Sequence, residues 1–240
     1  MTKPTVETKP RYAVVLPAYQ EEKRIAEVTR GCLKHCEKVI VIDDGSSDRT
    51  AEEAENAGAQ VLRHETNQGK GVALSAGFLA ARDEGCDVVI TLDADGQHDP
   101  DELPKFMEAY ERTRIPVLIG NRMGDPESMP TIRRWTNQFM SWMLSRAMHQ
   151  YVPDTQCGYR LYTCQIIPFV AAQSERFAAE SEILLHIAQR GLRIGAVRIK
   201  TIYLDGKSKI NPLLDTIRFF RMLQRARRRS RRWPVHGPRG

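Results

Sequence analysis

Long apolar runs are missing from this chain of 240 residues. None approaches the roughly 20 residues that cross a bilayer, so no spanning helix is expected. The opening stretch, Met1 to Arg11, is polar, carries Lys3, Lys9 and two prolines, and lacks the apolar core of a secretion signal. Cysteine is scarce and odd in number, at positions 32, 36, 86, 157 and 164. Without a secretion signal, these residues predict reduced thiols in the cytosol rather than a disulfide framework. Cys32 and Cys36 lie one helical turn apart beside His35. Two thiols and one neighbour fall short of the four ligands of a structural zinc site, and packing is the expected role. No internal repeat is visible, and no low-complexity segment precedes the C-terminal tail.

The tail itself lacks acid. From Arg218 onward there are nine arginines and neither acid nor lysine; taking them from the formal charge of +6 leaves −3 for residues 1–217. A mildly acidic body carries a strongly basic arm. Such an arm suits a polyanion, either an anionic membrane surface or nucleic acid.

The body contains two apolar runs that each end in acids. Val39-Ile40-Val41-Ile42 runs into Asp43-Asp44-Gly45-Ser46, and Val88-Val89-Ile90-Thr91-Leu92 runs into Asp93-Ala94-Asp95-Gly96-Gln97. Each reads as a buried strand delivering carboxylates to the carboxyl edge of a sheet, where ligands bind in open α/β folds. Asp93 and Asp95 can put hard oxygens on a divalent cation, and such cations commonly hold a substrate's phosphates. Strand and helix patterns alternate from Tyr12 to Ile119: strands at 12–16, 39–42, 60–62, 87–92 and 116–119, and helices at 21–36, from Ser47–Thr50 to Asn56, and at 71–84. This predicts a mostly parallel α/β sheet with helices on both faces. Beyond Gly120 come a proline-bearing loop (123–130) and an amphipathic helix (132–149), whose stripe is Ile132, Trp135, Phe139, Trp142 or Met143, and Ala147. A polar cluster from Asp154 to Arg160, a helix at 178–190, an alternating strand at 194–203 and a second amphipathic stretch at 212–232 complete the chain.

Six segments in order resemble the family 2 glycosyltransferases, which have the GT-A fold. They are Leu16-Pro17-Ala18-Tyr19-Gln20-Glu21-Glu22, Val41 to Asp48, Asn67-Gln68-Gly69-Lys70-Gly71, Leu92 to Gln97, Ile119-Gly120-Asn121-Arg122 and Asp154 to Arg160. The likeness is nearest to the branch of dolichyl-phosphate mannose synthases and bacterial polyprenyl-phosphate glycosyltransferases, and it runs from about Tyr12 to about Met222. Gln20 stands where the family usually has Asn, and Asp205 where an extra arginine is often found.

The resemblance implies an enzyme that moves a hexose from a GDP- or UDP-linked donor to a polyprenyl or dolichyl phosphate with Mg²⁺ or Mn²⁺. It implies nucleotide contacts from Pro17, Tyr19, Glu21, Asp43, Asp44, Lys70 and Asp93, and a metal site at Asp93, Asp95 and Gln97. Asp95 and Asp154 take the catalytic roles, and Arg122, Arg133, Asn137 and Lys209 the acceptor phosphate; Arg134 and Lys207 are as readily surface charge. A phosphomonoester, with its second pKa near ~6, needs holding more than deprotonating. Asp154 is therefore the candidate for any base or positioning acid, ahead of Glu180 and Glu182, which acids at a helix start would explain anyway. Residues 1–217 would form the GT-A domain, with a nucleotide half at 10–120 and an acceptor half at 121–217, and residues 218–240 the basic tail. The expected location is peripheral, at the cytoplasmic face of a membrane, with or without a membrane-protein partner. A hydroxyl acceptor on the same fold is the alternative. A nucleic-acid-binding role for the tail is a third reading, and it leaves the ordered motifs of the body without a purpose.

Overall fold

A computed structural model describes residues 9–124, 131–171, 179–200 and 202. Lys207, Lys209, the 212–232 stretch and the arginine tail lie outside the described residues, as do most of the 123–130 loop and the Arg133 side chain. The strands are β1 (Tyr12–Ala18), β2 (Val39–Asp43), β3 (Gln60–Arg63), β4 (Val88–Thr91), β5 (Val117–Asn121), β6 (Arg160–Thr163) and β7 (Ile194–Arg198). They form one sheet in the order β3-β2-β1-β4-β6-β5-β7. The central strands are buried throughout their apolar runs, as a parallel sheet covered on both faces requires. The helices are α1 (Ile25–Leu33), α2 (Thr50–Asn56), α3 (Lys70–Asp83), α4 (Leu103–Thr113), α5 (Thr131–Met148), α6 (Ile167–Ala171) and α7 (Ala179–Gln189).

The order reverses between β1 and β4: β2 and β3 lie on one side of β1 and β4 on the other. That is the switch point at which an open α/β sheet leaves a crevice outside its carboxyl ends. Pro17 helps to open it. The Ala18 carbonyl accepts from Asp44 N–H toward β2, so the neighbouring Pro17 backbone faces the β4 side. The β1–β4 ladder has already ended there, at Val15 opposite Thr91. The missing N–H therefore costs no ladder bond.

Two boundaries differ from the sequence pattern. The first helix begins at Ile25 rather than Glu21. Residues 20–22 are tied instead to the loop after β2, by Gln20 N–H to Ser46 Oγ, Glu21 N–H to Thr50 Oγ1 and Glu22 N–H to Asp48. The strand expected over 194–203 stops at Arg198, and Ile202 N–H crosses to the Gln97 carbonyl. The pattern also gave no warning of β6, which runs antiparallel between β4 and β5. Because β6 starts where β4 ends (Arg160 opposite Thr91), it carries the Asp154–Tyr159 segment to the same edge as Asp93.

Candidate active site

The acids after β4 fold into a tight turn. Asp95 Oδ1 accepts from Gln97 N–H at 3.0 Å, and its Oδ2 lies 2.7 Å from Gln97 Nε2. Asp93 faces the crevice from the other side of Ala94. Its Oδ1 is 2.5 Å from Lys70 Nζ, and its Oδ2 is 3.7 Å from His98 Nε2. Burial alone would raise the Asp93 pKa, but Lys70 and His98 outweigh it and hold the carboxyl below the ordinary range. Gly158 makes room for this carboxylate: a Cβ there would stand 2.9 Å from Asp93 Oδ2. Among the described residues no three His, Cys, Asp or Glu side chains gather as a metal cage. Two carboxylates with the Gln97 amide are nevertheless a hard-oxygen donor set of the kind Mg²⁺ or Mn²⁺ takes while keeping waters and substrate phosphates. The residues present fit a divalent cation.

Lys70 opens α3, next to Gly69 at a φ of +94°. Its ammonium is shared between Asp93 and Glu180 at the start of α7. Burial would lower the lysine pKa, yet the two carboxylates hold it above its ordinary value. Glu180 in turn reaches Arg160, 3.1 Å from its Oε2. Arg160 is fully buried and spends its guanidinium on the carbonyls of Cys157, Thr155 and Glu180. A charge chain therefore runs Asp93–Lys70–Glu180–Arg160. The sequence pattern singled out Lys70 and weighed Glu180 only as a base; nothing in it signalled that the two would pair.

At the β2 end the acids turn inward. Asp43 is buried, accepts from Ser46 N–H and pairs with Arg63 at 3.2 Å. Asp44 accepts from Gln68 N–H and Gly69 N–H, and its Oδ1 lies 2.7 Å from His64 Nδ1. Both oxygens thus hold the loop that leads to Lys70. Gly45, at a φ of +74°, allows this: a Cβ would meet the Thr66 carbonyl carbon at 2.5 Å. Tyr19 is half exposed at the end of β1, beside Glu21.

The third group lies past β5. The Arg122 guanidinium grips Asp154 with two bonds, Nε to Oδ2 at 2.7 Å and one terminal nitrogen to Oδ1 at 3.0 Å; the Arg122 N–H adds a third. Both side chains are buried. An acid held this way is a positioning group rather than a free base. Asn137 is partly buried on α5, and the same helix clamps the Asp154 loop through Ser141 Oγ, which accepts from Thr155 N–H. Behind the site, Tyr159 stacks on Phe106 with centroids 4.6 Å apart and meets His98 edge-on. Phe106 was not foreseen; it backs the Tyr159 ring, which packs against the imidazole beside Asp93.

Comparison with known proteins finds a family, relatives and structural neighbours. The family described as "Glycosyl transferase family 2" matches residues 13–174. The UDP-N-acetylglucosamine–dolichyl-phosphate N-acetylglucosaminyltransferase of Methanococcus voltae is 31% identical over 215 residues, covering 80% of this chain and 86% of its own. The undecaprenyl-phosphate mannosyltransferase of Micrococcus luteus is 30% identical over 216 residues, 84% of this chain and 88% of its own. Among solved structures, glucosyl-3-phosphoglycerate synthase from Mycobacterium tuberculosis, in complex with Mn²⁺, UDP and glucosyl-3-phosphoglycerate, shares the fold. Its TM-score is 0.70 at 21% identity, over 95% of this chain and 82% of its own.

Proposed function

Since the chain belongs to glycosyl transferase family 2 and is a glycosyltransferase, we propose that it moves a hexose, with inversion at the anomeric carbon, from a nucleotide-sugar to a polyprenyl or dolichyl phosphate. What supports the acceptor is that the two relatives are named for different sugars, N-acetylglucosamine and mannose, yet both for a polyprenyl-type phosphate. The donor is accordingly left as a GDP- or UDP-linked hexose.

The observation that carries the reading is the meeting at one sheet edge of Asp93, Lys70 and the Asp95–Gln97 turn with the Arg122–Asp154 pair. In this scheme Pro17, Tyr19, Glu21, Asp43 and Asp44 shape the nucleoside pocket, Asp43 and Asp44 by bracing its loop. Asp93, Asp95 and the Gln97 amide oxygen hold the cation. When bound, Mg²⁺ or Mn²⁺ supplies neutralising charge for the departing nucleoside diphosphate. Lys70 adds positive charge at the start of α3, where a helix N-terminus already favours an anion. Arg122, oriented by Asp154, serves the acceptor phosphate with Arg133, Asn137 and Lys209. An acceptor phosphate already anionic at neutral pH attacks without a dedicated base.

The test is a transfer assay pairing GDP-mannose, UDP-glucose and UDP-N-acetylglucosamine with a short-chain polyprenyl phosphate. The expected outcome is sugar on the phosphate, in the β configuration by NMR when the donor is α. Transfer to a hydroxyl acceptor alone would overturn the assignment.

A further inference from the structure

Asp93 is flanked on both of its oxygens. Oδ1 lies 2.5 Å from Lys70 Nζ and Oδ2 lies 3.7 Å from His98 Nε2, while Gly158 sits close against the carboxylate. A cation that is to use Asp93 must displace a neighbour, and the movable one is the lysine. His98 is buried and packed on the Tyr159 ring, whereas Lys70 carries its charge on a flexible four-carbon stem.

Displacement alone would be costly. An ammonium pushed off Asp93 would stand beside a dication with its own charge uncompensated, and an unpaired charge away from water is expensive. Glu180 removes that cost. Its Oε1 already grips Lys70 Nζ, so the lysine can give up Asp93 and keep a counter-ion. Glu180 is itself held in place by Arg160. One terminal nitrogen of the guanidinium lies 3.1 Å from Oε2, and the other donates to the Glu180 carbonyl at 2.8 Å. Arg160 is fully buried and fixed in turn by the Cys157 and Thr155 carbonyls. Glu180 is therefore a fixed post, carried by α7 and anchored to β6, against which a mobile ammonium can lean. An acid in the first turn of a helix is ordinary, but this one divides its two oxygens between a buried arginine and the lysine that covers Asp93. Charge favours the exchange as well. With Asp93 and Asp95 given to a dication, Lys70, Arg160 and Glu180 are left with a net positive charge, which suits a diphosphate entering next.

We propose that Glu180 is a positioning residue for cation loading: it takes over the Lys70 ammonium when Asp93 serves the cation. This role rests on the metal reading and adds to it a residue that acts through Lys70.

The experiment titrates Mn²⁺ alone, without nucleotide, into the full chain by calorimetry. It compares the wild type with Glu180→Gln, Lys70→Met and Lys70→Met/Glu180→Gln, each checked for its fold by circular dichroism. Glu180→Gln leaves the ammonium to Asp93, so Mn²⁺ should bind at least about tenfold more weakly than to the wild type. In the Lys70→Met background the same change should alter the affinity by less than about threefold, since no ammonium needs placing. UDP in EDTA should bind Glu180→Gln no more weakly than the wild type, because the group removed is an anion. Equal losses of Mn²⁺ affinity in the two backgrounds would show that Glu180 acts by its field or through the fold, and would overturn the role. So would an unchanged affinity in Glu180→Gln. The wild type alone gives a second measurement. The Nζ resonance of Lys70 in lysine-labelled protein, identified by its loss in Lys70→Met, should move as Mg²⁺ saturates the site; a resonance that stays still while Mg²⁺ binds would also overturn the role. If the wild type takes up neither ion, the metal reading falls and this role with it. If it binds them and the two losses are equal, the metal reading stands without Glu180.

Discussion

Lys70 Nζ sits 2.5 Å from Asp93 Oδ1 while it also grips Glu180. One ammonium thus occupies an oxygen that a divalent cation would use, and Glu180 offers it a second place to rest. Replacing Lys70 with Met should free Asp93 and remove a positive charge from the donor pocket. Mn²⁺ alone should then bind more tightly, while UDP or GDP binds about tenfold more weakly, the cost of one charge-assisted contact. Calorimetry with each ligand separates the two effects; weakening of both would show Lys70 to be purely structural.

Among the described residues the Asp95 carboxylate bonds within its own turn, to Gln97, an arrangement that suits service to a cation. Asp95→Asn should lower the transfer rate at least about a hundredfold, because charge neutralisation at the leaving group is worth several kcal/mol. EDTA should abolish transfer by the wild type, and Mn²⁺ should restore it. Full activity in EDTA would refute the metal assignment.

The Arg122–Asp154 pair is buried and bidentate. Asp154→Asn strands a buried guanidinium and should cost about 3 kcal/mol of stability. The double change Arg122→Met/Asp154→Leu should recover much of that stability without recovering transfer. Urea denaturation alongside the transfer assay reads both. A stable Asp154→Asn variant with a bell-shaped pH–rate profile lost on its acid limb would instead favour a base.

Burial pushes the thiols of Cys157 and Cys164 up to about 12, and it raises Cys32, Cys36 and Cys86 as well. The reactive form is the thiolate. A disulfide reagent at pH 8 should therefore label the folded chain slowly and all five cysteines quickly after unfolding. Above pH 9 the unfolded chain releases thiol protons that the folded chain keeps. Stability should fall as pH rises from about 9 toward 12, and thermal melts across that range would show it.

Much of the donor half was legible because its signals are local. The apolar runs of β2 and β4 carry their acids at the end, and Asn67 to Gly71 opens a helix as its glycines suggest. The rest depended on contacts between distant residues. β6 has only four residues and begins with an arginine, so nothing in its periodicity announces a buried strand; its burial is made tolerable by three backbone carbonyls that accept from Arg160. Asp44 was singled out because it ends a strand; that the 64–69 loop returns to bond its oxygens was not visible in the sequence. The stripe Ile132–Trp135–Phe139–Trp142 was read correctly as a face. Periodicity alone does not tell a core face from an outer one, and on α5 the buried side proved to be the one with serines at 141 and 145.

The antiparallel seat of β6 also orders events in time. The β1–β2 ladder joins residues close in sequence, and it can form as soon as that part of the chain is made. β4 instead awaits Arg160–Thr163 to complete its outer side, and loop closure over so long a span is slow. Until it closes, Asp93 lacks the Gly158 wall, and Lys70 lacks the Glu180 that follows. Without β6 the sheet would present β4 as an open apolar edge. The same four residues thus close the open side of β4 and bring the Asp154–Tyr159 segment to Asp93.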